Sequence, residues 1–161
     1  MSQNPLRIAL FADVQNIYYT CRQAHGRQFN YRALWQQISQ RGKICHAYAY
    51  AIQRHDDKQI KFQDALKNLG FEVKLKPFIQ RSDGSAKGDW DVGITIDIME
   101  TAPQVDVVIL LSGDGDFAIL LNHIRAKNPV KTEVFGVKSL TAHALMNACD
   151  IYHPIDDNLL Q

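Results

Sequence analysis

The stretch Val107-Val108-Ile109-Leu110-Leu111-Ser112-Gly113-Asp114-Gly115-Asp116-Phe117 decides the fold. Its apolar run has the length and β-branched content of a strand buried on both faces, the kind that fills parallel sheets. The run breaks at Ser112 into a turn of small residues carrying two carboxylates, and the chain then turns helical. Glycines there let the backbone turn tightly and approach a ligand. In open α/β sheets, ligands gather at the carboxyl ends of strands. Asp114 and Asp116 at such an edge repel each other, and a divalent cation with oxygen ligands offsets that repulsion most simply. Asp is also a preferred helix N-cap, and the helix dipole tolerates a second acid in the first turn. The pair alone therefore leaves a cation site and a capped helix as alternatives.

Working outward, a second strand of the same kind runs from Leu6 to Ala12 and stops at Asp13-Val14-Gln15-Asn16. Asp13 thus ends a strand as Asp114 does. Helical patterns follow at Ile17–Ala24 and after Asn30, an N-cap for Leu34, Trp35 and Ile38. Lys43–Ile52 reads as the next strand. Asp56 caps an amphipathic helix carrying Ile60, Phe62, Leu66 and Leu69, which Gly70 stops. Phe71–Phe78 alternates as a third strand. Gln80–Gly88 is a polar loop carrying Arg81 and Lys87. In Asp89–Glu100 the residues Val92, Ile94, Ile96 and Ile98 alternate like a strand, but a parallel sheet needs a helix at this point, and helix is the expectation. After the Val105–Ser112 strand come a helix over Asp116–Asn128 and a strand over Lys131–Val137. A short helix capped by Ser139 runs to Ala148, and a small edge strand covers Ile151–His153. The tail after about residue 154 is expected to be loose. This alternation predicts a mostly parallel sheet, strand order 3-2-1-4-5, with helices on both faces in three α/β/α layers.

The 161 residues suit a single domain able to bury a core, with 46% hydrophobic and 22% charged residues. No apolar run is long enough to cross a membrane. The first residues lack the pattern of a signal peptide. Cys21, Cys45 and Cys149 are odd in number and widely spaced, which suggests a reducing, cytoplasmic setting. The net charge of +1 is unevenly spread: 14 Lys and Arg face 6 acids through Gly88, and 4 face 11 from Asp89 onward. A basic half beside an acidic half suits a phosphate-bearing substrate brought to a cation-loaded centre, provided that sequence halves are also spatial halves. Asp outnumbers Glu by 14 to 3, as suits caps and cation sites better than exposed helix faces.

With strand order 3-2-1-4-5, the strands ending in Asp13 and Asp114 are neighbours at the switch point where a crevice opens. Asp91, in the first turn of the helix feeding the fourth strand, approaches the same crevice. Asp13, Asp91, Asp114 and Asp116 together exceed what capping requires. One or two hard cations, Mg²⁺ or Mn²⁺, held by carboxylate oxygens would polarise a phosphodiester and activate water for in-line attack.

Three segments carry a family resemblance: Phe11-Ala12-Asp13-Val14-Gln15-Asn16, Lys87-Gly88-Asp89-Trp90-Asp91 with Asp97 beyond it, and Ser112-Gly113-Asp114-Gly115-Asp116-Phe117. As a set they resemble the motifs of the NYN domain family, the LabA-like branch of the PIN-like nuclease group. The resemblance spans nearly the whole chain. It implies a PIN-like sandwich and metal-dependent cleavage of RNA, with Asp13, Asp91, Asp114 and Asp116 as catalytic, metal-binding acids. It also aligns Asn16 with the polar position after the first acid and Ser112 with the hydroxyl before the third motif. Val14-Gln15 and the extra Asp89 depart from the usual pattern and leave open which of Asp89 and Asp91 ligates.

Other positions keep two readings. Asp97, among isoleucines, needs a partner: it supports the ligands or bonds a helix end or Lys. Arg81 and Lys87 clamp a phosphate or solvate their loop. Asn16 orients substrate or caps a helix. Tyr18, Tyr19 and Trp90 stack bases or, as expected, belong to the core. The six histidines show no ligand spacing. The expected function is a metal-dependent ribonuclease acting on single-stranded RNA in the cytoplasm, with no membrane partner; the sequence leaves the oligomeric state open, a homodimer among the alternatives. The competing function is a non-catalytic RNA- or protein-binding regulator of the same fold. A haloacid dehalogenase-type phosphatase needs a second Asp two positions after Asp13, where Gln15 stands.

Overall fold

A computed structural model of the chain describes residues 5–53, 56–77, 79–80, 86–87 and 89–161, with the backbone alone at Pro77, Ile79, Gln80, Ala86 and Lys87. Strand β1 (Arg7–Asp13) is the centre of the sheet, buried from Ile8 to its end. It runs parallel to β2 (Lys43–Gln53) on one side and to β6 (Val107–Leu111) on the other. Outside these lie β3 (Glu72–Pro77) at one edge, and β7 (Lys131–Gly136) and β8 (Ile151–Pro154) at the other, all parallel. The order β3-β2-β1-β6-β7-β8 is the expected one with the small last strand added.

Helices α1 (Val14–His25), α2 (Tyr31–Ser39) and α3 (Asp57–Leu69) cover one face, against Ile8, Leu10, Ala12, Ile109 and Leu111. Helices α4 (Asp91–Thr101), α5 (Ala118–Lys127) and α6 (His143–Ala148) cover the other, against Ala9, Phe11, Val108 and Leu110. Alternate side chains of β1 and β6 thus enter two separate cores, which is why both strands are apolar throughout. Local chemistry sets the helix ends. The Asn30 and Asp56 side chains accept the N–H groups of Ala33 and Gln59 at 3.0 and 2.8 Å. Gly70 ends α3 at φ +126°, a conformation that suits a residue without Cβ.

The helix reading of Asp91–Thr101 holds although its apolar residues alternate. Ile94 and Ile98 are buried, whereas Val92 and Ile96 are 71% and 50% exposed, so the alternation does not mark an inner and an outer sheet face. Sequence halves are spatial halves only in part: β1–β3 and β6–β8 occupy opposite sides of the sheet, but the helices divide by face, and α4 packs against Ala9, Phe11 and Tyr50 of β1 and β2.

Three local expectations are corrected. The polar loop contains a short antiparallel pair, β4 (Ile79–Gln80) with β5 (Ala86–Lys87). Ser139 caps no helix: it lies within a 3-10 turn, and α6 begins later, after Ala142. The tail after Pro154 is packed rather than loose. Ile155, Leu159 and Leu160 are buried, Leu160 bridges Phe29, and Arg27 donates to the carbonyls of Leu160 and Gln161. Burying these three side chains, at about 1.5–3 kcal/mol each, offsets the conformational entropy that ordering the tail removes.

One ion pair is deeply buried. Glu133 on β7 has no exposed surface and is held by Arg41 and by His153, whose Nε2 lies 2.6 Å from it. Burial alone would push this carboxyl up, but the hydrogen bonds from His153 and Arg41 overcome it and hold the group down at about 2. Among the described residues no helix is long and apolar enough to cross a membrane.

Candidate functional site

The carboxyl ends of β1 and β6 lie side by side, Ala12 opposite Leu111. Asp13, the last residue of β1, is 9% exposed. The fully buried Ser112 hydroxyl donates to Asp13 Oδ2 at 3.1 Å and accepts the Asp114 N–H at 3.1 Å. Asn16 reaches across from α1, its side-chain oxygen accepting the Gly113 N–H at 2.9 Å. Asp114 in turn accepts the Asp116 N–H at 2.9 Å and so caps a 3-10 turn, Gly115–Phe117, that leads into α5. Asp114 is thus a capping residue and a member of an acidic cluster at once.

Asp91 arrives from the opposite wall as the first residue of α4. Trp90 anchors it: the indole N–H donates to the Ala51 carbonyl at 2.9 Å, and the ring folds over Gly93, where a Cβ would come within 2.7 Å of it. Lys76 donates to the Asp89 carbonyl at 2.9 Å and lies 4.7 Å from the centre of the Trp90 ring. The Asp89 side chain accepts the Asp91 N–H at 3.4 Å.

Carboxylate oxygens of Asp91, Asp114 and Asp116 all lie within 4.8 Å of one another. Beside them opens a cleft of about 240 Å³ lined by Asp13, Asn16, Asp89, Asp91 and Asp114 among others. Among the described residues, no Lys, Arg or His forms an ion pair with Asp13, Asp89, Asp91, Asp114 or Asp116. The cost of this crowding shows in the proton affinities. Burial, then the Asp114 carboxylate beside it, pushes Asp91 up to about 7. Burial pushes Asp13 up to about 6, although the Ser112 hydroxyl and the Asn16 N–H favour its charged form. An all-oxygen, anionic set without a basic partner fits a hard divalent cation.

The structure brings Asp91, Asp114 and Asp116 into one group, with Asp13 and Asp89 on the wall of the same cleft. Asp97 belongs elsewhere. Its Oδ2 accepts from the Lys74 ammonium and the Tyr50 hydroxyl, each at 2.7 Å, so its charge is paired within the sheet-facing side of α4. Arg81 lies outside the described residues, and only the backbone of Lys87 is described, in β5. Asn16 caps nothing in α1: it braces the turn after β6. The glycines of that turn serve the chain's own packing rather than a ligand. A Cβ on Gly113 would sit 2.7 Å from the Leu140 carbonyl oxygen, and one on Gly115 would sit 2.8 Å from the Ala142 Cβ. Tyr18 and Tyr19 are 39% and 51% exposed, against the expectation that they join the core. Sequence reasoning missed Lys76, Lys74 and Tyr50, because alternation marks strand residues as inward or outward without saying what stands opposite.

The NYN domain model matches residues 7–156 of the chain. The low amplitude and bright protein LabA of Synechococcus elongatus is 34% identical over 165 residues, covering 98% of this chain and 88% of that one. A crystal structure of a protein of unknown function from Vibrio parahaemolyticus is 49% identical, covers 100% of this chain and 99% of its own, and superposes with a TM-score of 0.94. Ribokinase from Giardia lamblia, 12% identical with a TM-score of 0.50 over 94% of this chain and 58% of its own, shares the fold alone.

Proposed function

Because the chain belongs to the NYN domain family, which is nuclease-like, we propose that it is a metal-dependent ribonuclease hydrolysing phosphodiester bonds at the cleft between β1 and β6. The observation that supports this reading best is the cluster of Asp91, Asp114 and Asp116, with oxygens within 4.8 Å of one another. These three would hold Mg²⁺ or Mn²⁺, with Asp13 beside them. When bound, such a cation neutralises a phosphodiester oxygen and lowers the pKa of water.

The chain's own residues do the rest. Ser112 fixes the rotamer of Asp13 and the path of the Asp114 backbone with one hydroxyl. Asn16 keeps the Gly113 N–H satisfied, so the turn that carries Asp114 does not shift. Trp90, held through Ala51, sets the entry of α4 and hence the height of Asp91. Placement to fractions of an ångström is what such rigid support secures, and misplacement by about 1 Å can cost roughly 10²-fold in rate.

The test is cleavage of a labelled single-stranded RNA with Mn²⁺, with Mg²⁺ and with EDTA. Cleavage that requires the cation and is lost in Asp91→Asn is the expected result. Binding of RNA without cleavage under any of these conditions would overturn it in favour of a non-catalytic RNA-binding regulator.

A further inference from the structure

The acidic cleft does not stand alone. A groove of about 800 Å³ runs along α1 towards α3, and Gln15 and Tyr19 line both cavities. The groove and the cleft are therefore neighbours, meeting at Gln15 and Tyr19 of α1. Gln15, Tyr18, Tyr19 and Arg22 stand on one side of that helix at the spacing of successive turns. Helix α3 presents Lys58 and Lys61 from across the groove.

Part of the lining belongs to the core, through Ile17, Phe29 and Ala51, and part is exposed and polar. Tyr18 and Tyr19 are exposed and meet edge to face at 5.4 Å. Arg22 donates to the Tyr18 hydroxyl at 2.7 Å, with its guanidinium 5.9 Å from the centre of the Tyr18 ring. Lys58 and Lys61 are exposed, and among the described residues neither forms an ion pair. At the groove lies Tyr31, 6% exposed, whose buried hydroxyl has no hydrogen-bond partner among the described residues. A buried hydroxyl without a partner is costly, but Tyr31 belongs to the core that floors the groove, so it is the exposed residues that point to a ligand. Exposed aromatic faces interleaved with cations suit a single-stranded polynucleotide, whose unstacked bases take the rings and whose phosphates take the ammonium groups. A duplex keeps its bases stacked and offers the rings nothing.

We propose that this groove is the track of a single RNA strand, with Tyr18 and Tyr19 as stacking platforms and Arg22, Lys58 and Lys61 as phosphate contacts, and that it delivers the strand to the acidic cleft past Tyr19. Only the delivery step rests on the nuclease reading; binding in the groove does not. Helix α1, at about 1.5 Å per residue, spans roughly 18 Å, room for a few nucleotides on one side of the cleft.

The test measures fluorescence anisotropy of a labelled uridine dodecamer in EDTA, so that binding is read without cleavage. Lys58→Gln/Lys61→Gln should flatten the log–log salt dependence by about 1.4, at about 0.7 per phosphate contact. Tyr19→Ala should weaken binding roughly 5- to 150-fold, the range for loss of one stacked base. All three positions are exposed, and matched melting curves would show the fold intact. Variants that bind with parental affinity and salt slope would overturn the groove, as would a duplex of equal length bound as tightly as the single strand. If the parent cleaves RNA while these variants bind normally, the nuclease reading stands and the groove falls. If the variants lose binding and no protein cleaves, the groove stands and the nuclease reading falls.

Discussion

The side-chain oxygen of Asn16 accepts the backbone N–H of Gly113 at 2.9 Å, joining the start of α1 to the turn after β6. Asn16 lines the acidic cleft, and Gly113 immediately precedes Asp114, which lines it too. Asn16→Ala leaves a buried N–H without a partner, at a cost of about 1–3 kcal/mol. Urea denaturation of parent and variant at one pH reads that loss. A change below ~0.5 kcal/mol would mean that Gly113 finds another acceptor.

Asp114→Asn separates charge from capping. Asn is as good an N-cap as Asp, so the bond to the Asp116 N–H and the turn into α5 should survive. The negative charge does not. Single-turnover cleavage should fall by several orders of magnitude, since each ~1.36 kcal/mol is tenfold in rate. Circular dichroism should be unchanged. A folded variant with near-parental activity would remove Asp114 from the proposed site.

The crowded acids set a pH dependence of opposite sign with and without cation. Asp13 and Asp91 rise from the ordinary 3.8 to about 6 and about 7 in the folded protein. Between the ordinary value and these, the folded state binds more protons than the unfolded one. Metal-free stability should therefore fall as pH rises from about 4 to about 7. Mn²⁺ binds the deprotonated acids, so its effect on the melting temperature should be larger at pH 8 than at pH 5. At a hundredfold excess over Kd the stabilisation is about 2.7 kcal/mol. The shift should disappear in Asp91→Asn; an equal shift in parent and variant would place the cation elsewhere.

Glu133 sets the acid limb. Its carboxyl drops from the ordinary 4.5 to about 2 on folding. The folded state then binds fewer protons than the unfolded one between those values. Its contribution is complete above about pH 4.5 and is lost as pH falls towards 2. Glu133→Gln should flatten that limb in acid denaturation. At pH 7 it should cost about 1–3 kcal/mol, below the ~3–5 of a fully buried pair because the Arg41 side chain keeps 33% of its surface. An unchanged acid limb would show that Glu133 titrates normally.

How much of this was legible in the sequence follows from how local each cause is. The runs Leu6–Ala12 and Val107–Leu111 are apolar because both of their faces are covered, so the central strands and their neighbourhood could be read directly. Asp13, Asp91, Asp114 and Asp116 each follow a strand end or open a helix, and topology then brings their segments to one crevice. The grouping itself is finer than topology: Asp13 bonds Ser112, whereas Asp91, Asp114 and Asp116 draw together. Asp97 shared the motif's spacing with Asp91, yet the helix turns its charge to Lys74 and Tyr50. The tail is expected to be loose from its sequence, but the core beside Phe29 and α2 takes Leu159 and Leu160 in, and Asn30 donates its N–H to the Leu159 carbonyl. Such partners are distant in the chain and leave no periodic trace.

The cleft lies on the seam between β1 and β6, and the Ser112–Asp13 bond across it joins positions 99 residues apart. Synthesis at about 5–20 residues per second puts roughly 5–20 seconds between the two halves of the seam. During that interval the nascent chain holds Asp13 on an unpaired strand edge, with neither Asp114 nor Asp116 yet made. No partial product of translation that stops before the Ser112 turn can assemble the acidic cluster. On the ribonuclease reading proposed above, such an enzyme would be born inert, with no assembled acidic cluster to turn on the message still threading its own ribosome until the sheet has closed.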